Sequence, residues 1–228
     1  MSKLVHYQSL AGLFDYPDAL FPERVRRALD VVATHYPAAA DDVKCFDSLL
    51  PVDDLIAMQE LYTRTFDVQA ITTLDLGYVL FGDDYKRGEL LANLNREHTH
   101  KHNDCGSELA DHLPNVLRLI PLIEDDELLT ELVQEIVAPA VSQMIQEFSP
   151  DRVEKKYESY EKQYKTLIEL PTESMDVATI YQHTLRALYT ILKTDFEITE
   201  RIPLVATSDF LKSLNTENEI ENKAEAFY

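Results

Sequence analysis

The chain has 228 residues, 45% of them hydrophobic, which suits one large domain with its own core. Lys and Arg number 21 against 41 Asp and Glu, and the resulting net charge of -20 repels nucleic acid and anionic membranes and makes a basic partner the natural complement. Two cysteines, Cys45 and Cys105, make no disulfide framework, the opening MSKLVHYQSL lacks the apolar run of a secretory signal, and no stretch approaches the roughly 20 apolar residues of a membrane span. The expected location is therefore cytoplasmic, with no direct membrane insertion.

Only five glycines, no Asn-Gly or Asp-Gly hairpin signal and little period-two alternation predict an all-α fold, a single globular multi-helix domain. Leu4, Tyr7, Leu10, Ala11 and Phe14 form a first apolar stripe that ends at Tyr16-Pro17, because the residue before a proline is pushed out of helical geometry. Val25, Ala28, Leu29, Val32 and Tyr36 form a second, begun at Pro22 and stopped at Pro37. Asp53 or Asp54 caps a third through Leu55, Met58, Tyr62 and Phe66. The stretch from Thr65 to Leu94 has the spacing of two helices joined by Phe81-Gly82-Asp83-Asp84. Asp83 or Asp84 caps the second of them, and Gly82 and Gly88 mark turns.

Further on, apolar residues from Leu129 to Phe148 keep helical spacing through Pro139, where a kink or break is expected. Ser149-Pro150 opens a helix carrying Val153, Tyr157, Tyr160, Tyr164 and Leu167, aromatics that belong to the core more readily than to a groove. Met175 to Leu192 reads as one strongly amphipathic helix. The helical domain is expected over residues 1–206, with 207–228 a polar, flexible tail.

Chemical signatures are sparse. Neither G-x-G-x-x-G nor G-x-x-x-x-G-K-[ST] occurs, so no nucleotide loop is encoded. His98, His100, His102 and Cys105 are a conceivable zinc set, and with Glu108 they support an alternative reading as a small metalloprotein or hydrolase. Their position at a helix end running into a loop favours solvated histidines instead. Glu108, Asp111 and His112 lie at helical spacing, compatible with an acid/base pair or with capping the next helix and binding loop amides.

Four blocks occur in order: LAGLFDYPD (Leu10 to Asp18), YTRTFD (Tyr62 to Asp67), LFGDDYKRG (Leu80 to Gly88) and ELADHLPNVL (Glu108 to Leu117). In sequence and spacing they resemble the assembly chaperones of molybdenum-containing respiratory reductases, nearest to the nitrate reductase delta-subunit (NarJ-type) branch. The trimethylamine-N-oxide and dimethyl sulfoxide reductase chaperones are more distant. One position departs from the pattern: Ala110 stands where the family block carries proline, which implies a less rigid loop.

The resemblance implies a non-enzymatic, cofactor-free chaperone that binds the N-terminal leader or tail of a molybdoenzyme catalytic subunit while molybdenum cofactor is inserted. Molybdenum cofactor biosynthesis proteins are further possible partners. It also assigns Tyr62, Phe66, Leu80, Phe81, Asp83, Arg87, Glu108, Asp111 and His112 to the peptide-binding region. Within that region Tyr62, Phe66 and Phe81 are expected as apolar anchors or their supports, Glu108 and Asp111 as acceptors of leader Arg or Lys, and His112 as a charge switch.

Overall fold

The computed structural model describes residues 4–163 and 175–198. Among these residues the regular structure is all helical, and the only β pairing is an isolated antiparallel bridge between Asp75 and His112. No helix among them is long and apolar enough to cross a membrane.

Helix α1 (His6–Ala11) buries Tyr7, Leu10 and Ala11, and the turn after it buries Leu13 and Phe14 before Pro17. Helix α2 (Phe21–His35) carries Pro22 in its first turn and buries Val25, Ala28 and Val32. Pro37 then both ends α2 and opens α3 (Pro37–Leu49), a helix the sequence reading passes over. A proline cannot continue a helix but suits its first position, so one residue serves as stop and start. Ala39, Ala40, Val43 and Phe46 are the buried face of α3.

Helix α4 (Leu55–Phe66) is capped by Asp54, whose carboxylate accepts from the Ala57 N–H. Helix α5 (Leu76–Phe81) ends at Gly82, whose φ of 62° needs a residue without a Cβ. Asp84 caps α6 (Tyr85–His100) by accepting from the Lys86 N–H, and Gly88 lies inside α6 rather than at a turn. Helix α7 (Leu113–Leu119) runs into a 3-10 turn, Ile120–Leu122.

Helix α8 (Asp126–Glu131) leads through a π-helical turn, Leu132–Val137, into α9 (Ala138–Glu147). The Ala138 N–H bonds the carbonyl of Val133, five residues back. The helical path thus continues through Pro139 instead of breaking, because a widened turn just before the proline accommodates its ring and its missing donor. Helices α10 (Pro150–Gln163), α11 (Met175–Ala178) and α12 (Tyr181–Asp195) complete the order. The single helix expected from Met175 to Leu192 is interrupted by a turn at Thr179 and Ile180. Tyr164, Leu167 and the predicted tail at 207–228 fall outside the described residues.

Helix α12 packs on α3 and α9, α3 also on α2, α1 on α2 and α7, and α5 on α6 and α9. Each fully buried large apolar side chain contributes about 1.5–3 kcal/mol. An aromatic series crosses this core: Phe21 meets Phe46, Phe46 meets Tyr181 at 5.1 Å, and Tyr181 meets Phe66 at 4.9 Å. Tyr62 contacts both Phe66 and Tyr181, and Tyr16 stands edge-on to Tyr62 at 5.3 Å. These rings give the side chains above them a rigid floor.

Candidate functional site

Two loops meet at the Asp75–His112 bridge. The Leu76 N–H donates to the Asp111 carbonyl at 3.0 Å, and the Leu113 N–H donates to the Leu74 carbonyl at 2.9 Å. Side chains reinforce the junction. Asp75 occupies the N-cap position of α5, yet its carboxylate turns away from the helix amides and accepts from Arg87 Nη2 at 2.9 Å and His112 Nδ1 at 3.2 Å. The cap is supplied from the other loop: Asp111 Oδ2 accepts from the Gly77 N–H at 3.1 Å and faces Arg87 Nε at 3.4 Å. A Cβ on Gly77 would lie 2.8 Å from that oxygen, so only glycine admits the carboxylate here.

The two acids on Arg87 differ in electrostatics. The hydrogen bond from His112 holds the Asp75 carboxyl below its ordinary range against the opposing push of burial. Asp111 is fully buried, and burial followed by the charge of Asp75 pushes its carboxyl up. Arg87 is the cation that makes this pair of carboxylates tolerable.

A cleft opens on each side of this junction. The larger, of about 610 Å³, is lined by Phe66, Asp67, Asp75, Tyr78, Arg87 and Lys156, among others. The smaller, of about 370 Å³, is lined by Asp15, Tyr16, Tyr62, Glu108, His112 and Arg118, among others. Arg118 Nη2 reaches both carboxylate oxygens of Asp15 at 2.7 Å, and Lys156 is paired with Glu147 at 2.9 Å. Asp67, Asp104 and Glu108 form no ion pair among the described residues. Burial, then the charge of Glu108, pushes the Asp67 carboxyl up, so the two acids repel across the rim. Exposed apolar side chains stand beside them: Tyr16 and Tyr78 line the clefts, Val68 adjoins Asp67, and Leu109 adjoins Glu108.

The residues singled out from sequence divide into three groups. Arg87, Asp111 and His112 come together in the junction, and Glu108 is exposed at the mouth of the smaller cleft. Tyr62 and Phe66 are each only 5% exposed, so they are core rings whose edges reach the clefts. Leu80 and Phe81 are half-buried against the core, and Asp83 is exposed on the α5–α6 turn; none of the three lines either cleft. Asp111 does not present a carboxylate to an incoming guanidinium, because it is fully buried: Gly77 and Arg87 of its own chain engage Oδ2, and Oδ1 is buried without a hydrogen-bond partner among the described residues.

The loop with Ala110 in place of proline is tied down by other means. His98 is 3% exposed and donates from Nε2 to the Ala110 carbonyl at 3.0 Å, while its Nδ1 accepts from the Asn103 amide at 2.9 Å. A carbonyl only accepts, which fixes the neutral tautomer. Asn115 donates to the carbonyls of Cys105 and Leu109. Both ring nitrogens of His98 are therefore engaged. Among the described residues no group of three or more His, Cys, Asp or Glu side chains converges so as to hold a metal ion.

Sequence reasoning missed Asp75, Asp67, Asp15, Tyr16 and Arg118. Asp67, Asp15 and Tyr16 lie inside the conspicuous blocks, and that membership was the available signal. Asp75 lies outside them, and only the long-range pairing with His112 reveals its role. In comparison with known proteins, no family model and no curated protein matches the chain.

Proposed function

We infer that this chain is an assembly chaperone of the NarJ type, a cytoplasmic binding protein rather than a catalyst. It takes the N-terminal segment of a molybdenum-containing respiratory reductase and holds the subunit for cofactor insertion, with molybdenum cofactor biosynthesis proteins as further partners. One observation carries the reading: residues from all four separated blocks line the same two clefts or hold the junction between them. They are Asp15 and Tyr16, then Tyr62, Phe66 and Asp67, then Arg87, then Glu108, Asp111 and His112.

The chemistry at the rim suits a leader peptide. An amphipathic basic segment can lay apolar side chains against Tyr16, Tyr78, Val68 and Leu109 while its Arg or Lys side chains meet Asp67, Asp104 and Glu108. A guanidinium between Asp67 and Glu108 would relieve the repulsion between the two carboxylates.

The test is a pull-down of the tagged protein from its native host during anaerobic respiratory growth, with mass spectrometry of what co-elutes. A large molybdoenzyme subunit should be recovered in near-equal amount and lost when its N-terminal segment is deleted. If no such subunit is recovered from cells making one, the reading is wrong.

A further inference from the structure

A second polar cluster lies on the seam between α3 and α12, apart from the clefts. Cys45 Sγ is 3.3 Å from His183 Nε2, and His183 Nδ1 is 3.0 Å from Asp42 Oδ1. Protons can be assigned from the partners. A carboxylate only accepts, so Nδ1 carries the imidazole proton, and Nε2 is left as the acceptor facing the thiol. This is the order of a nucleophile, a general base and an orienting acid. Arg186 Nε lies 3.6 Å from the same Asp42 oxygen and adds positive charge beside the group. The site is reachable: Cys45 is a half-buried free thiol, and the side chains of His183 and Asp42 are 27% and 18% exposed.

The scaffold decides which chemistry this arrangement supports. Acyl transfer needs free amides aimed at a developing oxyanion. Cys45 is in the interior of α3, where the surrounding N–H groups are committed to helical carbonyls, so no such donors are at hand. Thiol–disulfide exchange has no oxyanion to stabilise. It needs a thiolate and access.

We propose that Cys45 is an activated thiol, a modification site that exchanges with small-molecule disulfides. The Sγ–H proton passes to His183 Nε2, and the sulfur attacks one sulfur of the disulfide. A new Sγ–S bond forms as the old S–S bond breaks. The departing thiolate takes the proton back from Nε2, so one thiol is released, Cys45 is oxidised to a mixed disulfide and the incoming disulfide is reduced. The adduct sits on the α3–α12 seam, one residue from Phe46, which packs on Tyr181 beneath the Tyr62 and Phe66 floor.

Cys105 is the internal control. It is also half-buried, but it has no imidazole partner among the described residues, and burial followed by the Asp104 charge pushes its thiol up. The experiment follows exchange with dithiodipyridine, a neutral disulfide suited to a chain of net charge -20, in Cys105→Ser and Cys45→Ser proteins. Cys45 should react at least about tenfold faster than Cys105. His183→Gln in the Cys105→Ser background should bring Cys45 down to the Cys105 rate, and Asp42→Asn should fall between. Equal rates for the two thiols, or a Cys45 rate unmoved by His183→Gln in a protein with unchanged helicity, overturn the proposal. If His183→Gln loses helicity, Asp42→Asn decides: a slower Cys45 upholds the proposal and an unchanged rate overturns it.

Discussion

The junction and the rim of the clefts use the same residue type for opposite ends. Asp75 is engaged through both oxygens by Arg87 and His112, and Asp111 through Oδ2 by the Gly77 amide and Arg87, and together they hold two loops in register. Asp67 and Glu108 sit a few residues away in the chain, without an ion pair among the described residues and mutually repelling. A carboxylate already matched within the chain stabilises the fold and has little left for a partner. One left unmatched contributes nothing to stability and is available for recognition. The substitutions below separate the two kinds.

The largest effect is expected from Arg87→Met. It leaves Asp75 and Asp111 facing each other without a cation, which should cost about 3 kcal/mol or more in urea unfolding. A loss below about 1 kcal/mol would mean that the two acids find other partners, and the junction would lose its role as a structural clamp. Next comes a pair of glycine substitutions with opposite signs. Gly77→Ala puts a Cβ 2.8 Å from Asp111 Oδ2 and should cost about 1–3 kcal/mol. Gly88→Ala meets nothing within 4 Å inside α6 and should stabilise by about 0.5–1 kcal/mol. Equal effects at both positions would contradict the close approach of Asp111.

At the rim the expected change in stability is small and the change in binding is not. Asp67→Asn with Glu108→Gln should shift unfolding by no more than about 0.5 kcal/mol. Because the Asp67 carboxyl is pushed up by burial and by Glu108, removing the charges leans toward stabilisation. Affinity for a synthetic basic leader peptide should fall, and its dependence on salt should flatten. Unchanged affinity at low salt would remove the electrostatic part of the proposed function.

These expectations also mark what could be read from the sequence. Helical periodicity gave the fold class and most helices, since a buried stripe repeats locally whatever it packs against. Helix α3 was hidden because Pro37 serves both as terminator and as first residue. The turn at Thr179 and Ile180 and the π-helical turn before Pro139 are adjustments made by packing. Of the site, Arg87, Glu108 and His112 were accessible through the blocks. Asp75 and the trans cap from Asp111 were not, because Asp75 meets His112 and Gly77 meets Asp111 across 37 and 34 residues. The Cys45, His183 and Asp42 group is longer-range still, and Cys45 lies in the helix that was overlooked.

The smallest effect expected concerns His98, a third way in which the chain uses a titratable group near the clefts. Its ring is buried, and burial lowers its affinity for a proton below the ordinary histidine value. It is therefore neutral in the folded protein at pH values where the unfolded chain is already protonated. In that window the unfolded state binds more protons, so stability rises with pH and levels off above the ordinary histidine range. Acidification through the window charges a ring whose Nδ1 must accept from Asn103, which breaks that bond and loosens the tie to Ala110. His98→Gln should flatten this part of the stability–pH curve while leaving in place the acid limb, to which Asp75, Glu147 and Asp195 contribute. The Asp75 carboxyl is held below its ordinary range, so its contribution is present above the unfolded value and is lost as pH falls through the folded one. Urea unfolding of both proteins at a series of pH values reads the difference directly. An identical slope in the two would show that the neutral His98 does not hold the loop, and that the backbone pairing at Asp75 and His112 suffices.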